Sequence, residues 1–224
     1  MELNNPRVCV YVDGSNFYHI VLKKLGVKDT EFDYDAFAHY LIGNRILSEN
    51  GKRYYIGTVQ AENNVPNEAF SRQQALFTYL RANHWEIKNS PLRRRQEEIV
   101  IDNRIDVYEK IKTLGISTIK VVRLREKGID VKLAVDLMAG AIDKKYDIAI
   151  VISSDTDLVP AIDWVVKREH KTIEYVGFSI HDQYNSENDT KPTNSLIAAA
   201  NLTRVLLATD LKPFIYREQQ PLNL

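Results

Sequence analysis

The sequence has 224 residues and a formal net charge of zero, because 30 Lys and Arg residues balance 30 Asp and Glu residues. A chain of this length forms one large α/β domain or two small ones, and it buries enough surface to fold without disulfides. The single cysteine, Cys9, can form neither an internal disulfide nor a cysteine-rich zinc site, which favours a reducing, cytoplasmic setting. Neutrality argues against binding of polyanions through overall charge, so a nucleic-acid site must depend on local charge.

The hydrophobic pattern predicts alternating strands and helices. A strand at 7–12 and a helix at 16–25 come first. Further strands are predicted, in chain order, at 53–59, 84–88, 119–123, 147–152, 172–176 and near 214–216. Further helices are predicted at 33–47, 67–81, 130–144, 158–168 and 194–208. No apolar run approaches the length of a membrane span, so neither a signal peptide nor contact with a membrane is expected.

This alternation predicts an α/β fold of three layers, with a mostly parallel, Rossmann-like sheet and helices on both of its faces. The nearly unbroken apolar runs at 7–12 and 147–152 indicate central strands that are covered on both sides. We expect a single domain over 1–224, with its core at about 7–207. The segment at about 91–118 fits no single element and is interpreted as an uncertain insertion.

Acidic residues follow several of the predicted strands. Asp13 ends the first strand, Asp155 and Asp157 follow the strand at 147–152, and Asp130 opens a helix. Ligands of an open parallel sheet bind outside the carboxyl ends of its strands, so these acids are candidate functional residues. An Asp between a strand and a helix is also the usual N-cap, but one cap is enough for one helix and leaves the second acid of the 155–157 pair unexplained.

A group of carboxylates at one sheet edge requires cations. Two like charges about 5 Å apart repel by roughly 3 kcal/mol at an effective dielectric constant near 20. Oxygen ligands without nearby histidines suit Mg²⁺ or Mn²⁺, and the five histidines show no zinc-binding spacing. The chain also lacks the glycine-rich motifs that bind nucleotide phosphates.

Two basic runs are candidate substrate-binding segments. The first contains Arg93, Arg94 and Arg95, and the second contains Arg123, Arg125 and Lys127. Either run is also compatible with a simple solvated face.

Three motifs together resemble the NYN domain family of PIN-like nucleases, especially its LabA-like bacterial branch. They occur in the order V-Y-V-D-G-S-N-F-Y at 10–18, K-G-I-D-V-K-L-A-V-D at 127–136 and V-I-S-S-D-T-D-L-V-P at 151–160. The resemblance implies a PIN-like fold and a catalytic, metal-binding set of acids that consists of Asp13, Asp130, Asp155 and Asp157. It further implies an orienting role for Asn16, and either a supporting or a purely structural role for Asp136. Ser153, Ser154 and Lys127 are further supporting candidates; Lys127 can contact the phosphate or temper the acidic cluster, although a lysine before a helix is more often simply solvated. Ser154 stands where glycine is commoner in the family, and Leu158 where an aromatic residue is usual.

The function implied by this resemblance is hydrolysis of phosphodiester bonds by a Mg²⁺- or Mn²⁺-dependent endoribonuclease. Single-stranded RNA is the favoured substrate, with DNA as a second candidate, and a homodimer is compatible with such a domain. The alternative is a PIN-like module that binds RNA or a protein without cleavage, in a regulatory role. A glycosyltransferase that uses Asp155 and Asp157 ranks lower because it leaves the other two motifs unexplained. A haloacid-dehalogenase-type phosphatase is disfavoured because Asp13 is not followed by the acid that this chemistry requires.

Overall fold

The computed structural model describes residues 5–59, 67–125, 128–182 and 186–216. The strands of these residues are β1 (Arg7–Asp13), β2 (Ile46–Thr58), β3 (Glu86–Pro91), β4 (Arg93–Val100), β5 (Thr118–Arg125), β6 (Ile148–Ile152), β7 (Thr172–Ser179) and β8 (Leu202–Leu207). The α-helices are α1 (Gly14–Phe17), α2 (Tyr34–Ile42), α3 (Glu68–Ala82), α4 (Tyr108–Lys112), α5 (Ile129–Ile142), α6 (Val159–Arg168), α7 (Asn194–Ala199) and α8 (Ala208–Leu211). A π-helical turn, Tyr18–Leu22, continues α1.

Six strands form one parallel sheet in the order β3-β2-β1-β6-β7-β8. The chain starts at the centre, builds one half outward to β3, and returns to build the other half from β6 to β8. The predicted α/β, Rossmann-like sheet with a mostly parallel arrangement is thereby confirmed. The remaining strands, β4 and β5, pair only with each other and are antiparallel. We call residues 93–125, which contain these two strands and α4, the ribbon.

Alternate side chains of the central strands enter separate cores on the two faces of the sheet. Val8, Val10 and Val12 of β1 join a cluster with the aromatic residues of α1 and α2, whereas Cys9 and Tyr11 join a cluster with α5 and α6. All five side chains are at most 2% exposed. This two-sided burial is what the unbroken apolar run of β1 predicts for a central strand. Phe17 also belongs to the first core, where it packs against Phe32, Phe37 and Phe178.

Two predicted helices are wrong in extent. The helix predicted at 33–47 ends at Ile42, because Gly43 adopts φ 60, a left-handed conformation that favours glycine, and β2 begins at Ile46. The helix predicted at 194–208 consists only of α7. Leu202–Leu207 instead forms β8, which pairs along β7 as an edge strand. A short apolar run does not distinguish a strand from a helix by its periodicity.

The segment at 91–118, which the sequence pattern does not assign, takes a defined structure, and the strand predicted near 214–216 is shorter than expected. Residues 91–118 contain the end of β3, all of β4, α4 and the first residue of β5, so they form most of the ribbon. The strand predicted near 214–216 is reduced to one antiparallel bridge between Ile215 and Phe32. No helix in the described ranges is both long enough and apolar enough to cross a membrane.

Candidate active site at the carboxyl edge of the sheet

The candidate site lies where the two halves of the sheet meet. β1 and β6 are neighbours at the centre, and the chain leaves them in opposite directions, towards β2 and towards β7. This arrangement opens a crevice at the carboxyl ends of the two central strands, which is the usual ligand position in open parallel sheets. Asp13 is the last residue of β1, and Ser153 directly follows β6. The sequence places polar residues at this edge, and the structure brings them into contact.

Asp13 is buried and held in one orientation. Only 4% of the residue is exposed, and its Oδ1 accepts a hydrogen bond of 3.0 Å from the backbone N–H of Asn16, which makes it the N-cap of α1. Its Oδ2 accepts a second bond of 3.0 Å from the hydroxyl of Ser153. Both oxygens therefore have donors from different segments of the chain. The N-cap interpretation and a functional role are compatible, because a capped carboxylate is fixed in position.

Position 14, directly after Asp13, requires glycine, because the ring of Tyr54 occupies the space that a side chain would need there. A Cβ built on Gly14 overlaps the ring of Tyr54, which is fully buried in β2. The absence of a side chain lets α1 begin directly above the adjacent strand. Any other residue must displace an aromatic ring of the core, so the glycine keeps the backbone of Asp13 close to the sheet.

Asn16 and Ser154 join the two central loops through a reciprocal pair of hydrogen bonds. The side-chain amide of Asn16 donates to Ser154 Oγ at 2.8 Å, and its carbonyl oxygen accepts from the backbone N–H of Ser154 at 2.9 Å. Glycine, which is commoner in the family at position 154, cannot provide the hydroxyl. Thr193, which the sequence does not single out, adds a bond of 3.1 Å from its hydroxyl to the carbonyl oxygen of Ser154.

Asp155 and Asp157 lie on the turn that follows β6. The hydroxyl of Ser153 accepts a bond of 3.1 Å from the N–H of Asp155, so this one hydroxyl links Asp13 to the turn. Asp155 Oδ1 in turn accepts from the N–H of Asp157 at 2.9 Å and caps a short 3-10 helix. The cap uses one oxygen of Asp155, whereas Asp157 is exposed. Leu158, where an aromatic residue is usual in the family, is buried in the core.

Asp130 belongs to the same acidic group although it comes from a different element. It lies in the first turn of α5 and is exposed to solvent. Its pKa is raised, first because the surrounding protein removes part of its hydration, and then because the charges of Asp155 and Asp157 repel its ionised form. Three carboxylates from two segments therefore interact at this edge. We call Asp13, Asp130, Asp155 and Asp157 the acidic group.

The acidic group fits Mg²⁺ or Mn²⁺ by the type of its donors. All of them are carboxylate oxygens, and such hard ligands suit these cations, which keep several waters and need only one or two carboxylates from the protein. Within the described ranges, no three His, Cys, Asp or Glu side chains lie close enough together to enclose a metal ion. The arrangement is thus an open edge of carboxylates, and it suits a cation that also binds phosphate and water.

Asp136, predicted as a supporting residue, is not part of the acidic group. Asp136 lies further along α5, where its Oδ2 accepts a bond of 2.8 Å from the hydroxyl of Tyr55 and lies 3.7 Å from Lys88 Nζ. These contacts tie α5 to β2 and β3, so its partners are structural. Lys127, predicted as a supporting residue, lies outside the described residues.

The two basic runs come together at the base of the ribbon. In the antiparallel register, Arg93 pairs with Arg125, Arg94 with Leu124, and Arg95 with Arg123. Runs that are separated by almost thirty residues in the sequence thus form one basic segment.

The fold and the site together define a class of protein. A doubly wound parallel sheet with carboxylates at its central crevice is consistent with the PIN-like, Rossmann-type architecture. The family model described as the NYN domain matches residues 7–206. The chain therefore belongs to the NYN domain family, whose PIN-like members are nucleases that act on nucleic acids and generally use divalent metal ions.

Comparison with solved structures supports the same architecture. The chain is similar to the crystal structure of a protein of unknown function from Vibrio parahaemolyticus RIMD 2210633, with a TM-score of 0.54 and 16% sequence identity. The match covers 92% of this chain and 96% of the other. At this identity the likeness concerns the fold alone. No curated protein matches the sequence.

Proposed function

We propose that this protein is a metal-dependent endoribonuclease that hydrolyses phosphodiester bonds in single-stranded RNA. One observation carries the proposal, namely the approach of acids from separate segments at the crevice. Ser153 links Asp13 to the turn that carries Asp155 and Asp157. Asp130 lies near this turn, and its pKa is raised first by burial and then by the charges of Asp155 and Asp157. Repulsion between like charges at this turn is relieved when a cation binds between them. The three motifs that resemble the LabA-like branch of the family support the same assignment of the acids.

In the proposed mechanism, Asp13, Asp130, Asp155 and Asp157 are the residues that would hold Mg²⁺ or Mn²⁺. The bound ion would supply a water of lowered pKa and positive charge opposite the scissile phosphate. Asp13 supplies a fixed carboxylate, because Ser153 and the N-terminus of α1 restrain both of its oxygens. Asp155 and Asp157 extend this group towards solvent, where a phosphate of the substrate can approach.

The supporting residues of the proposed site set the distance between its two halves. Asn16 and Ser154 bridge the loops that follow β1 and β6, and Ser153 connects Asp13 to the turn of Asp155. These bonds restrict the relative movement of the carboxylates before substrate arrives. Such preorganisation avoids reorganisation of the site during the reaction.

Three further parts of the proposal come from the family resemblance and the composition. They are a preference for single-stranded RNA, a cytoplasmic location and assembly as a homodimer. The residues of the site do not themselves distinguish RNA from DNA, so both substrates belong in the assay. The 2′-hydroxyl is the group that allows a protein to make this distinction.

A second candidate function is a regulatory module that binds RNA or a protein without cleaving RNA. The observation that favours it is the spacing of the acids, since no three metal-binding side chains of the described residues approach closely enough to enclose an ion. In this candidate function the domain keeps the fold and the basic segment, and the open acidic group serves no cleavage.

Cleavage assays distinguish the two candidates. Labelled single-stranded RNA and DNA are incubated with the wild-type protein and Mg²⁺, Mn²⁺ or a chelator, beside the Asp155→Asn variant. Asparagine retains the Oδ1 acceptor of the cap and removes only the charge. The matched control is Asp163→Asn, since Asp163 lies on α6 and pairs with Lys167 away from the crevice.

We expect metal-dependent cleavage by the wild type and the Asp163→Asn variant, and a loss of at least about 100-fold in the Asp155→Asn variant, as for removal of one group that stabilises a transition state. Cleavage that persists in chelator or in Asp155→Asn would contradict the metal site. RNA binding without cleavage by the wild type would favour the regulatory module.

A further inference from the structure

We propose that a cavity at the amino edge of the sheet is a binding site for a small phosphate ester of the size of a nucleoside monophosphate. The cavity has a volume of about 600 Å³ and lies between β2, β3 and the turn that joins α5 to β6. We call it the amino-edge pocket. Its wall includes two buried residues, Ser48 and Arg53, and the first residues of β1 and β3, Arg7 and Glu86. Because the six strands are parallel, this pocket lies at the opposite edge from the acidic group, and the inference does not depend on the proposed nuclease function.

An irregularity in β2 opens the sheet at this edge. Val8 of β1 pairs with Leu47 of β2. Two residues further along β1, Val10 pairs with Lys52, which is five residues further along β2, so β2 carries three extra residues at this point. Bulges of this kind redirect side chains and are common beside functional sites. Here the bulge places residues 48–50 in the wall of the pocket.

Two buried polar groups of the wall have no hydrogen-bond partner within the described protein. They are Ser48 Oγ and Arg53 Nε, and their residues are 8% and 7% exposed. Arg53 Nε lies 3.2 Å from Glu86 Oε2, but the orientation of this contact is not that of a hydrogen bond. Buried polar groups are nearly always hydrogen-bonded, because an unsatisfied one loses its hydration without compensation. An acceptor that enters the pocket satisfies both donors.

These two donors belong to a group of polar side chains that converge on one point of β1. Burial raises the pKa of the Cys9 thiol, and four neighbours oppose this shift, namely Ser48, Arg53, Arg7 and Lys145. All four line the amino-edge pocket. Three of them are basic and come from three different segments of the chain. The wall thus combines a buried hydroxyl with positive charge.

The acids of the pocket leave part of this positive charge available. Glu86 contacts a second cation, since its Oε1 lies 2.7 Å from Lys88 Nζ. Asp143 lies 3.4 Å from Lys145 Nζ. Lys144 is exposed in the wall of the pocket and has no ion partner within the described ranges. An anion that reaches the buried donors therefore also meets a lysine at the mouth.

A phosphate ester matches this arrangement of donors and acceptors. Guanidinium, hydroxyl and ammonium groups are the usual partners of phosphate oxygens, and the contacts of arginine are strengthened by charge. The volume exceeds that of inorganic phosphate and lies within the range of small-molecule pockets. Glu49 and Asn50, both exposed in the wall, can accept hydrogen bonds from the hydroxyls of a sugar. Water also satisfies buried donors, so the test must compare ligands with and without a phosphate group.

Ser48 provides a sharp test because a binding role and a structural role predict opposite results. Removal of an unsatisfied buried hydroxyl should leave the ligand-free protein at least as stable as the wild type. The same substitution should weaken the binding of phosphate. A hydroxyl that serves only the fold would give lower stability and no change in binding.

Isothermal titration calorimetry of the full-length protein in chelator measures the binding. The probes are AMP, ribose 5-phosphate, adenosine, which lacks the phosphate, and citrate, which carries carboxylates instead. The test variants are Ser48→Ala, Arg53→Lys and Lys144→Gln. Arg53→Lys keeps the charge and removes Nε. Thermal unfolding without ligand shows whether each variant is folded.

Two control variants accompany the titrations. Ser71→Ala removes an exposed hydroxyl from α3 and is matched to Ser48→Ala. Asp155→Asn alters the acidic group at the other edge of the sheet. Because the titrations contain neither RNA nor a metal ion, failure of the nuclease proposal does not affect their outcome.

We expect the wild type to bind AMP and ribose 5-phosphate, and to bind adenosine and citrate at least about tenfold more weakly, as for loss of a hydrogen-bonded charged group. Ser48→Ala and Arg53→Lys should each lose at least about tenfold in affinity for AMP, and Lys144→Gln should lose less. Ser48→Ala should unfold at or above the wild-type temperature, and both controls should bind AMP like the wild type. Absence of AMP binding by the wild type, equal binding of AMP and adenosine, or preference for citrate would overturn the inference. Unchanged AMP affinity in Ser48→Ala and Arg53→Lys, or loss of AMP binding in Asp155→Asn, would overturn it as well.

Discussion

The sheet and the ribbon present opposite charges in opposite structural settings. At the centre of the sheet, Asp13 is buried and both of its oxygens accept hydrogen bonds. In the ribbon, apolar residues such as Val100 and Leu114 are more than half exposed, and the strands have no third neighbour among the described residues. The difference matches the two roles in the proposed function. Carboxylates that share a cation would need fixed distances, whereas basic residues that meet a flexible strand would need only the correct sign and approximate position.

The same contrast applies to the segments that carry the acids, which are short turns that directly follow buried strands of the core. Ser153 and Asn16 are held by β6 and α1, whose apolar neighbours are completely buried. The ribbon, by contrast, has few apolar contacts that restrain it. Local stability should consequently be high around Asp13 and low in β4 and β5, as measured by amide hydrogen exchange. The following substitutions test this difference, from the largest expected effect to the smallest.

Replacing Glu174 should produce the largest loss of stability. Glu174 lies in β7, is 3% exposed, and accepts bonds of 2.6 Å from both Arg45 and Arg204. Glu174→Ala leaves two guanidinium groups without their buried partner, and we expect a loss of about 3 kcal/mol in the free energy of unfolding. Urea denaturation measures this change, with the exposed Glu49→Ala as the control. An equal urea midpoint for the two variants would show that the stability of the fold does not depend on Glu174 and its two arginines.

Gly14→Ala should destabilise the protein by about 1–3 kcal/mol, because its Cβ must displace the buried ring of Tyr54. The displacement also moves the backbone that positions Asp13, so cleavage should fall together with stability while RNA binding in chelator is preserved. Urea denaturation and anisotropy measure the two effects. A variant with wild-type stability would contradict the close approach of α1 to β2.

Asp147 provides a smaller, pH-dependent contribution at the opposite edge of the sheet. Hydrogen bonds from Arg7, with a further one from Lys171, lower the pKa of Asp147 to about 2. A lowered pKa in the folded state stabilises the protein above the pKa of the unfolded chain, near 3.9, and this contribution disappears as the pH falls towards 2.

Asp147→Asn should therefore cost less than about 1 kcal/mol at pH 7, since the pair is partly exposed. The difference from the wild type should shrink between pH 4 and pH 2. Urea denaturation across this range measures it, and a difference that grows on acidification would have the wrong sign for this ion pair.

Arg95→Gln should have the smallest effect on stability, because Arg95 is exposed on β4. Substitutions of exposed residues usually change the free energy of unfolding by less than about 0.5 kcal/mol. RNA binding should weaken, because the basic segment loses one of its charges. Urea denaturation and fluorescence anisotropy with labelled RNA measure the two effects, and unchanged RNA binding would contradict a role for Arg95 in binding substrate.

The elements that the sequence predicts best are those with two-sided burial. The apolar runs of β1 and β6 predict central strands, and the positions of Asp13 and Asp155 at the ends of these strands follow from them. The start of β2 and the strand β8 are missed. β8 lies at the edge of the sheet with several exposed apolar residues, so its pattern does not differ from that of an amphipathic helix.

The contacts within the site could be predicted less well than the acids themselves. The bonds of Asn16 with Ser154 and of Thr193 with Ser154 connect residues that are distant in sequence, and no local pattern encodes them. The pairing of the two basic runs depends in the same way on the register of β4 with β5. Register is determined by the whole strand pair and its connection, which here spans the ambiguous residues around α4.

The most direct test of the proposed acidic metal site is a titration with Mn²⁺, which is paramagnetic and replaces Mg²⁺. Electron paramagnetic resonance measures the free Mn²⁺ in the presence of wild-type protein, Asp157→Asn and the Asp163→Asn control, and RNA cleavage is followed at the same concentrations. We predict that the wild type and the control bind Mn²⁺ and cleave RNA over the same concentration range, whereas Asp157→Asn loses both properties together. Equal Mn²⁺ binding by all three proteins, or cleavage by Asp157→Asn at the wild-type rate, would contradict the assignment of these acids.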